Sequence, residues 1–278
     1  MKVIAIGTLK GGVGKTTVIF NLLGELARTK KVLAIDIDPQ CNLTNNFGLD
    51  ISDDAAVASV LNIFKQTTKN DYEVTPEEMV VTAPIPELPN LDIIPSSIRL
   101  VATELTISGR AGRERILQNF IEDNMKFFEK YDYILVDTNP SMGILNQNAF
   151  LAADSVVLIT DVDNNSRVGL KLFIDLWDAI RHDLRKEDNI RGVILNKGVL
   201  NNNLSSSMET YLETNPDLAP LYIPQKIRTK DVYKYSAIAH KPMNIYQDVC
   251  PRDYRRPAKE ASQEIEEVVK LLVEKGVL

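Results

Sequence analysis

Eight residues near the start of the chain, Lys10-Gly11-Gly12-Val13-Gly14-Lys15-Thr16-Thr17, bring glycines, lysines and hydroxyls together at a spacing suited to phosphate chemistry. They follow the apolar run Val3-Ile4-Ala5-Ile6 and open a segment, Val18 to Thr29, that reads as a helix. A strand, a glycine-rich turn and a helix start gather backbone N–H groups around one anion, at the positive end of the helix dipole. Glycine is needed because the backbone turns sharply and must approach the ligand closely. In such a P-loop Lys15 reaches the β- and γ-phosphates of a nucleotide and Thr16 offers its hydroxyl to Mg2+. Gly11, Gly12, Val13, Gly14 and Thr17 complete the cradle. The usual pattern, G-x-x-x-x-G-K-[ST], puts a first glycine at position 9. This chain has Leu9 there, followed by a second lysine, Lys10.

Three carboxylates stand where a nucleotide site would use them. The run Lys31-Val32-Leu33-Ala34-Ile35 reads as a buried parallel strand leading into Asp36-Ile37-Asp38-Pro39-Gln40. Residues two apart on a strand share a face, so Asp36 and Asp38 are expected to point the same way. One can orient or activate water while the other serves the outer shell of the metal, or a lysine. The alternative is that both only cap the following turn. Tyr133-Ile134-Leu135-Val136-Asp137 is a second apolar strand closing on an acid, the Walker B arrangement, whose carboxylate reaches Mg2+ through water. A simple cap of the next loop is the other possibility for Asp137.

Further elements follow in alternation. Leu91 to Ser97 reads as a strand and a serine-capped helix start, and Arg110 to Glu129 as one long amphipathic helix burying Ile116, Phe120, Phe127 and Phe128. Val156 to Thr160 and Ile190 to Leu195 are strands. Ser166 to Leu184 is a helix anchored by Trp177, Asn201 to Thr214 a polar helix, and Ala258 to Glu274 the last helix. Residues 50 to 90 are weakly patterned, with one helix expected near Ala55 to Phe64. Alternating strands and helices predict an α/β fold, a mainly parallel twisted sheet with helices on both faces. No linker or internal repeat divides the chain, so one domain over residues 1–278 is expected.

The motifs in this order resemble those of the ParA/MinD family of ATPases, defined by the deviant Walker A loop with its extra lysine. The resemblance runs almost end to end. Asp38 lies in the run D-x-D-P-Q-x-N, similar to the Walker A′ motif of ParA proteins, which implies that it positions the attacking water. Cys41 stands where the family often has glycine. The segment ending in Pro95-Ser96 resembles the family's L-x-L-I-P-S, and Thr138-Asn139-Pro140 lacks one of the two prolines usual after Walker B. Asn196 sits where the family hydrogen-bonds adenine. Leu221 to Arg228 resembles its I-P-x-x-x-R stretch, which puts Pro224 near the base. By the same resemblance Lys10 would cross a two-fold interface to touch phosphate in a partner subunit, so that ATP drives dimerisation. Read without the family, Lys10 is a solvated surface lysine and Asn196 a polar turn residue.

Composition bounds the rest. At 278 residues, 44% hydrophobic and 25% charged, the chain is ordinary globular material. Met1-Lys2-Val3-Ile4 leads straight into a strand, so no secretory leader is expected. Cys41 and Cys250, with His182 and His240, offer neither a disulfide framework nor zinc spacing, and a reducing cytoplasm is the expected setting. Net charge is −6, yet residues 221–260 hold nine Lys/Arg against four acids, a local +5 on a remainder of −11. Lys226, Arg228, Lys230, Lys234, Arg252, Arg255 and Arg256 are therefore candidates to neutralise DNA phosphates without reading bases, unless they are ordinary solvated charges. No helix-turn-helix segment precedes the P-loop, so the short ParA or Soj type is expected. The implied function is plasmid or chromosome partition: an ATP-dependent homodimer on non-specific double-stranded DNA at the nucleoid, stimulated by a ParB-type centromere-binding partner. A MinD-like membrane-cycling ATPase is one alternative, which the glutamates of the last helix (Glu260, Glu264, Glu266, Glu267, Glu274) oppose at an anionic lipid surface. A P-loop metabolic ligase is the other.

Overall fold

The computed structural model describes residues 1–49, 58–65, 75–163 and 165–278. Seven strands, β1 (Lys2–Gly7), β2 (Val32–Asp36), β3 (Val81–Thr82), β4 (Leu91–Ile94), β5 (Tyr133–Asp137), β6 (Ser155–Thr160) and β7 (Ile190–Leu195), form one sheet in the order β3-β4-β2-β5-β1-β6-β7. Every neighbouring pair is parallel except β3 and β4. The inner strands are mostly apolar because both faces are covered, and alternation splits their apolar side chains between two cores. Val3 and Ala5 of β1 face one core with Phe120, Phe150, Phe173 and Trp177. Ile4 and Ile6 face the other, with Val18, Ile19 and Leu22 of the helix Lys15–Leu26 and Ile265, Val268 and Leu272 of the helix Arg255–Glu274.

In the parallel register Asp36 lies beside Asp137, and Ile6 beside Asp137 on its other side. The C-terminal ends of β2, β5 and β1 thus meet on one line, at the crevice where open α/β sheets bind ligands. Trp177 is fully buried as expected, its Nε1 donating to Asn189 Oδ1 at 2.9 Å.

Several elements differ from expectation. The long helix over 110–129 is broken into a 3-10 turn at Arg113–Arg115 and two helices, Ile116–Asp123 and Met125–Phe128. Gly112, at φ +72°, delays its start, and Asn124 leaves helical geometry while its side chain caps the Phe120 carbonyl at 2.9 Å. Ser97 accepts from the Arg99 N–H at 3.3 Å, and the helix it was expected to cap starts later, at Leu100. Of the helix expected near Ala55 to Phe64, the described part is Val60–Lys65; residues 55–57 lie outside the described residues. Two helices in the basic segment, Val232–Ile238 and Met243–Val249, carried no clear sequence signal.

Candidate nucleotide site

Helix Lys15–Leu26 begins at Gly14, whose φ of +85° is left-handed, and no side chain caps its first N–H groups. Those groups are orphan donors at the positive end of the helix. Gly12 is also left-handed, at φ +76°, and a Cβ there would meet nothing within 4 Å, so the loop opens to solvent at that point. Gly14 is enclosed: a Cβ would sit 2.3 Å from Asn196 Nδ2. A cleft of about 270 Å3 lies over this turn, lined by residues of the loop from Lys10 to Thr17 and by Asp38, Gln40, Asn42 and Pro140.

Lys15 is buried, its Nζ donating to Asp137 Oδ1 at 2.9 Å and to the Thr138 carbonyl. Thr16 Oγ1 donates to Asp137 Oδ2 at 2.8 Å. Asp137 is fully buried and holds both P-loop side chains at once, which preorganises the cation and the hydroxyl that a nucleotide would meet. The Thr16 hydroxyl and the Asp137 carboxylate are adjacent hard oxygen donors, a set that fits Mg2+. Among the described residues no cluster of three His, Cys, Asp or Glu could hold a metal alone. That suits an ion bound largely by nucleotide oxygens and water, as Mg2+ is.

Asp38 lines the cleft and is nearly buried. Its Oδ1 accepts from the Gln40 N–H at 2.9 Å, while Ser96 Oγ pins its carbonyl at 2.7 Å. Burial raises its pKa, opposed by the Gln40 N–H and the Lys15 charge. Asp36 is fully buried and is not among the residues that line the cleft. β2 ends at Asp36, so strand alternation does not carry to Asp38. The Asp36 carboxylate turns inward instead, accepting from the Thr44 N–H (2.9 Å), the Thr44 hydroxyl (2.7 Å) and the Asp38 N–H (3.1 Å). Its lone pairs hold the loop that carries Asp38. Burial first, then the Asp137 charge, push its pKa up to about 7.

Lys10 is partly exposed and folds back onto its own chain. Its Nζ is bound within the same chain by Asp161 Oδ1 (2.9 Å) and Oδ2 (3.0 Å), by Asp163 Oδ2 (3.2 Å) and by Ser166 Oγ (3.3 Å). Burial works against the ammonium, but the two carboxylates prevail and raise its pKa. Neither Asp161 nor Asp163 was singled out by sequence; the available signal was a strand closing on an acid, the pattern that located Asp137. Asn196 reaches the P-loop, donating from Nδ2 to the Val13 carbonyl at 2.7 Å, and the unassigned Lys197 donates to the Gly12 carbonyl. Pro224 is exposed, just past the backbone pairing of Ile223 with Val193, and does not line the cleft. Asn139 uses the N–H that a proline would lack, donating to Asn146 Oδ1 at 3.3 Å.

The basic candidates separate into two groups. Arg228 pairs with Glu264 and Glu260, Lys230 with Glu264, and Lys226 with Glu209 at 2.8 Å. The Lys230 side chain is only 10% exposed, and all three of these cations are engaged by carboxylates of the same chain. Lys234, Arg252, Arg255 and Arg256 are exposed; Lys234 and Arg256 pair with Asp231 and Glu260 on their own surface, where such contacts are weak.

Comparison with known proteins matches residues 1–191 to the family model described as an AAA domain. The chain is 35% identical over 203 residues to the sporulation initiation inhibitor protein Soj of Bacillus subtilis, covering 70% of this chain and 72% of Soj. It is 31% identical over 219 residues to the virulence plasmid ParA family protein pGP5-D of Chlamydia psittaci, covering 77% and 76%. In fold it superposes with a TM-score of 0.74 on a putative plasmid partition protein of Borrelia burgdorferi bound to AMPPNP, at 23% identity over 99% of each chain. With a lysine-flanked P-loop, Walker B at Asp137 and these relatives, the chain belongs to the ParA/Soj family of partition ATPases.

Proposed function

We propose that residues 1–278 act as a single ParA-like domain that hydrolyses ATP with Mg2+, dimerises around the nucleotide, and binds DNA non-specifically while dimeric. The observation that carries this reading is the assembled cradle: Lys15 and Thr16 both on Asp137, with Asp38 facing the same cleft. Mg2+, when bound, would supply charge neutralisation at the phosphates. Lys15 would exchange its Thr138 and Asp137 contacts for phosphate oxygens. Thr16 and Asp137 would hold the metal, the carboxylate through water. Asp38, fixed by Gln40 and Ser96, would orient the attacking water. Asn196 and Pro224 would meet adenine. Lys10, once freed from Asp161 and Asp163, would reach the phosphate of a second subunit. Lys234, Arg252, Arg255 and Arg256 would meet DNA phosphates, each weakly, and dimerisation would add avidity. A ParB-type centromere-binding protein would stimulate turnover, in a cytoplasmic protein cycling on and off the nucleoid.

Among the described residues no helix is long and apolar enough to cross a membrane. The apolar side of the last helix is spent in the core, through Ile265, Val268 and Leu272, and is not available to lie on lipid. The test is binding of purified protein to non-specific duplex DNA with ATP, ADP or no nucleotide, at two salt concentrations. Binding should require ATP, weaken with salt, persist in Asp38→Ala and drop in Lys10→Ala. Indifference to DNA in every nucleotide state would remove the proposed output.

A further inference from the structure

We infer that Lys197 is a positioning residue of the P-loop: its ammonium holds the Gly12 carbonyl turned away from the cleft and so fixes the loop's N–H groups toward phosphate. The inference rests on the P-loop being the nucleotide site. A loop that binds an anion through consecutive N–H groups turns carbonyls outward, where water or side-chain donors behind the loop can hold them. Here two consecutive residues past the end of β7 supply such donors. Asn196 Nδ2 donates to the Val13 carbonyl at 2.7 Å, and Lys197 Nζ donates to the Gly12 carbonyl.

The backbone of Lys197 supports the same conclusion. It lies in the left-handed region at φ +55°, a conformation unfavourable for a lysine. Its surroundings impose it: the Asn196 N–H is tied to the Thr160 carbonyl at 2.8 Å, and the Gly198 N–H to the Ile227 carbonyl at 3.0 Å. A side chain kept at a strained position, reaching across to the P-loop, is the kind of outlier that clusters at functional sites. Lys197 forms no ion pair among the described residues, whereas Lys10 across the loop is held by two carboxylates. Its charge therefore acts on the loop alone.

The strained φ provides a clean separation of roles. Lys197→Gly removes the ammonium and relieves the backbone, Lys197→Met removes the ammonium and keeps the strain, and Lys197→Arg restores a donor. Fluorescent-ATP binding and thermal melting are measured for each, with Lys15→Ala as the control for the site itself. We expect nucleotide binding to weaken about three- to tenfold in Lys197→Gly and Lys197→Met, the scale of one partly exposed charged hydrogen bond. Lys197→Arg should stay near wild type, and Lys197→Gly should melt at or above the wild-type temperature. Steady-state kinetics should show the loss in KM with kcat little changed. Unaltered ATP affinity in both Lys197→Gly and Lys197→Met would overturn the inference, as would a loss of affinity in Lys197→Met that Lys197→Gly restores. If Lys15→Ala also binds ATP normally, the P-loop reading itself has failed.

Discussion

Asp36 and Asp137 stand side by side on β2 and β5, both fully buried. Burial first, then the neighbouring Asp137 charge, raise the Asp36 pKa from 3.8 to about 7. A carboxyl raised on folding binds its proton more tightly folded than unfolded. Its contribution is complete below the unfolded value near 4 and is lost as pH climbs through the folded value near 7. Urea unfolding between pH 4 and 8 should show this decline, on the order of a few kcal/mol at most. In Asp36→Asn the decline should flatten, on top of a constant loss from the disturbed Thr44 contacts. An unchanged slope in Asp36→Asn would mean that Asp36 stays ionised. At this scale the sequence was informative wherever one residue type has one use. Lys15, Thr16 and Asp137 converge as their pattern required. Cys41 adopts a left-handed φ of +56°, a conformation that favours the glycine the family resemblance implies there. The shared face expected for Asp36 and Asp38 is not formed, because the strand ends at Asp36 and alternation does not carry past it.

At the scale of elements, β6 ends in the Asp161–Asp163 turn that leads into the helix Asn165–Asp183, and this junction holds Lys10. If Lys10 acts in a second subunit as proposed, this contact restrains it in the first, and dimerisation would have to overcome that restraint. Partly exposed ion pairs are each worth about 0.2–1 kcal/mol, so releasing both should shift the dimer equilibrium about two- to thirtyfold for each lysine freed. The double change Asp161→Asn with Asp163→Asn, made in an Asp38→Ala background to hold ATP unhydrolysed, should raise the dimer fraction seen by light scattering. No gain in dimer would show that the contact imposes no restraint. Such junctions are poorly legible in sequence, because Lys10 and Asp161 are 151 residues apart and only the sheet order unites them. Buried strands were legible: Tyr133–Asp137 and Ile190–Leu195 match their apolar runs residue for residue. The helices Val232–Ile238 and Met243–Val249 were not. They are short and depend on tertiary partners, as when Asn21 of the P-loop helix accepts the Met243 N–H at 2.6 Å.

For the whole molecule, the charge count over 221–260 described composition correctly and misplaced its meaning, because it stopped one helical turn short of Glu264. That buried glutamate takes Arg228 and Lys230 together, while Glu260 takes part of Arg228 and of Arg256. Arg228 and Lys230 thus fasten the last helix to the segment before the helix Val232–Ile238, Lys226 is held instead by Glu209, and cations that face solvent gather at Lys234 and at Arg252 to Arg256. Two variants should therefore behave oppositely. Arg228→Ala leaves the Glu264 carboxylate with one partner fewer in a buried position, a change expected to cost about 1–3 kcal/mol of stability. Its melting temperature should fall, and any loss of DNA binding should follow the loss of folded protein. Arg252→Ala with Arg255→Ala removes two exposed cations whose side chains have no ion-pair partner among the described residues. Its melting temperature should stay within about 2 °C of wild type, as for most surface changes. DNA affinity in the ATP state should fall, and the slope of log affinity against log salt should drop by about two for each subunit that makes both contacts. Were Arg228→Ala to lose DNA binding at full stability, with Arg252→Ala/Arg255→Ala unaffected, the DNA surface would lie on the Glu264 side of the last helix and the ion pairs there would have to open on binding.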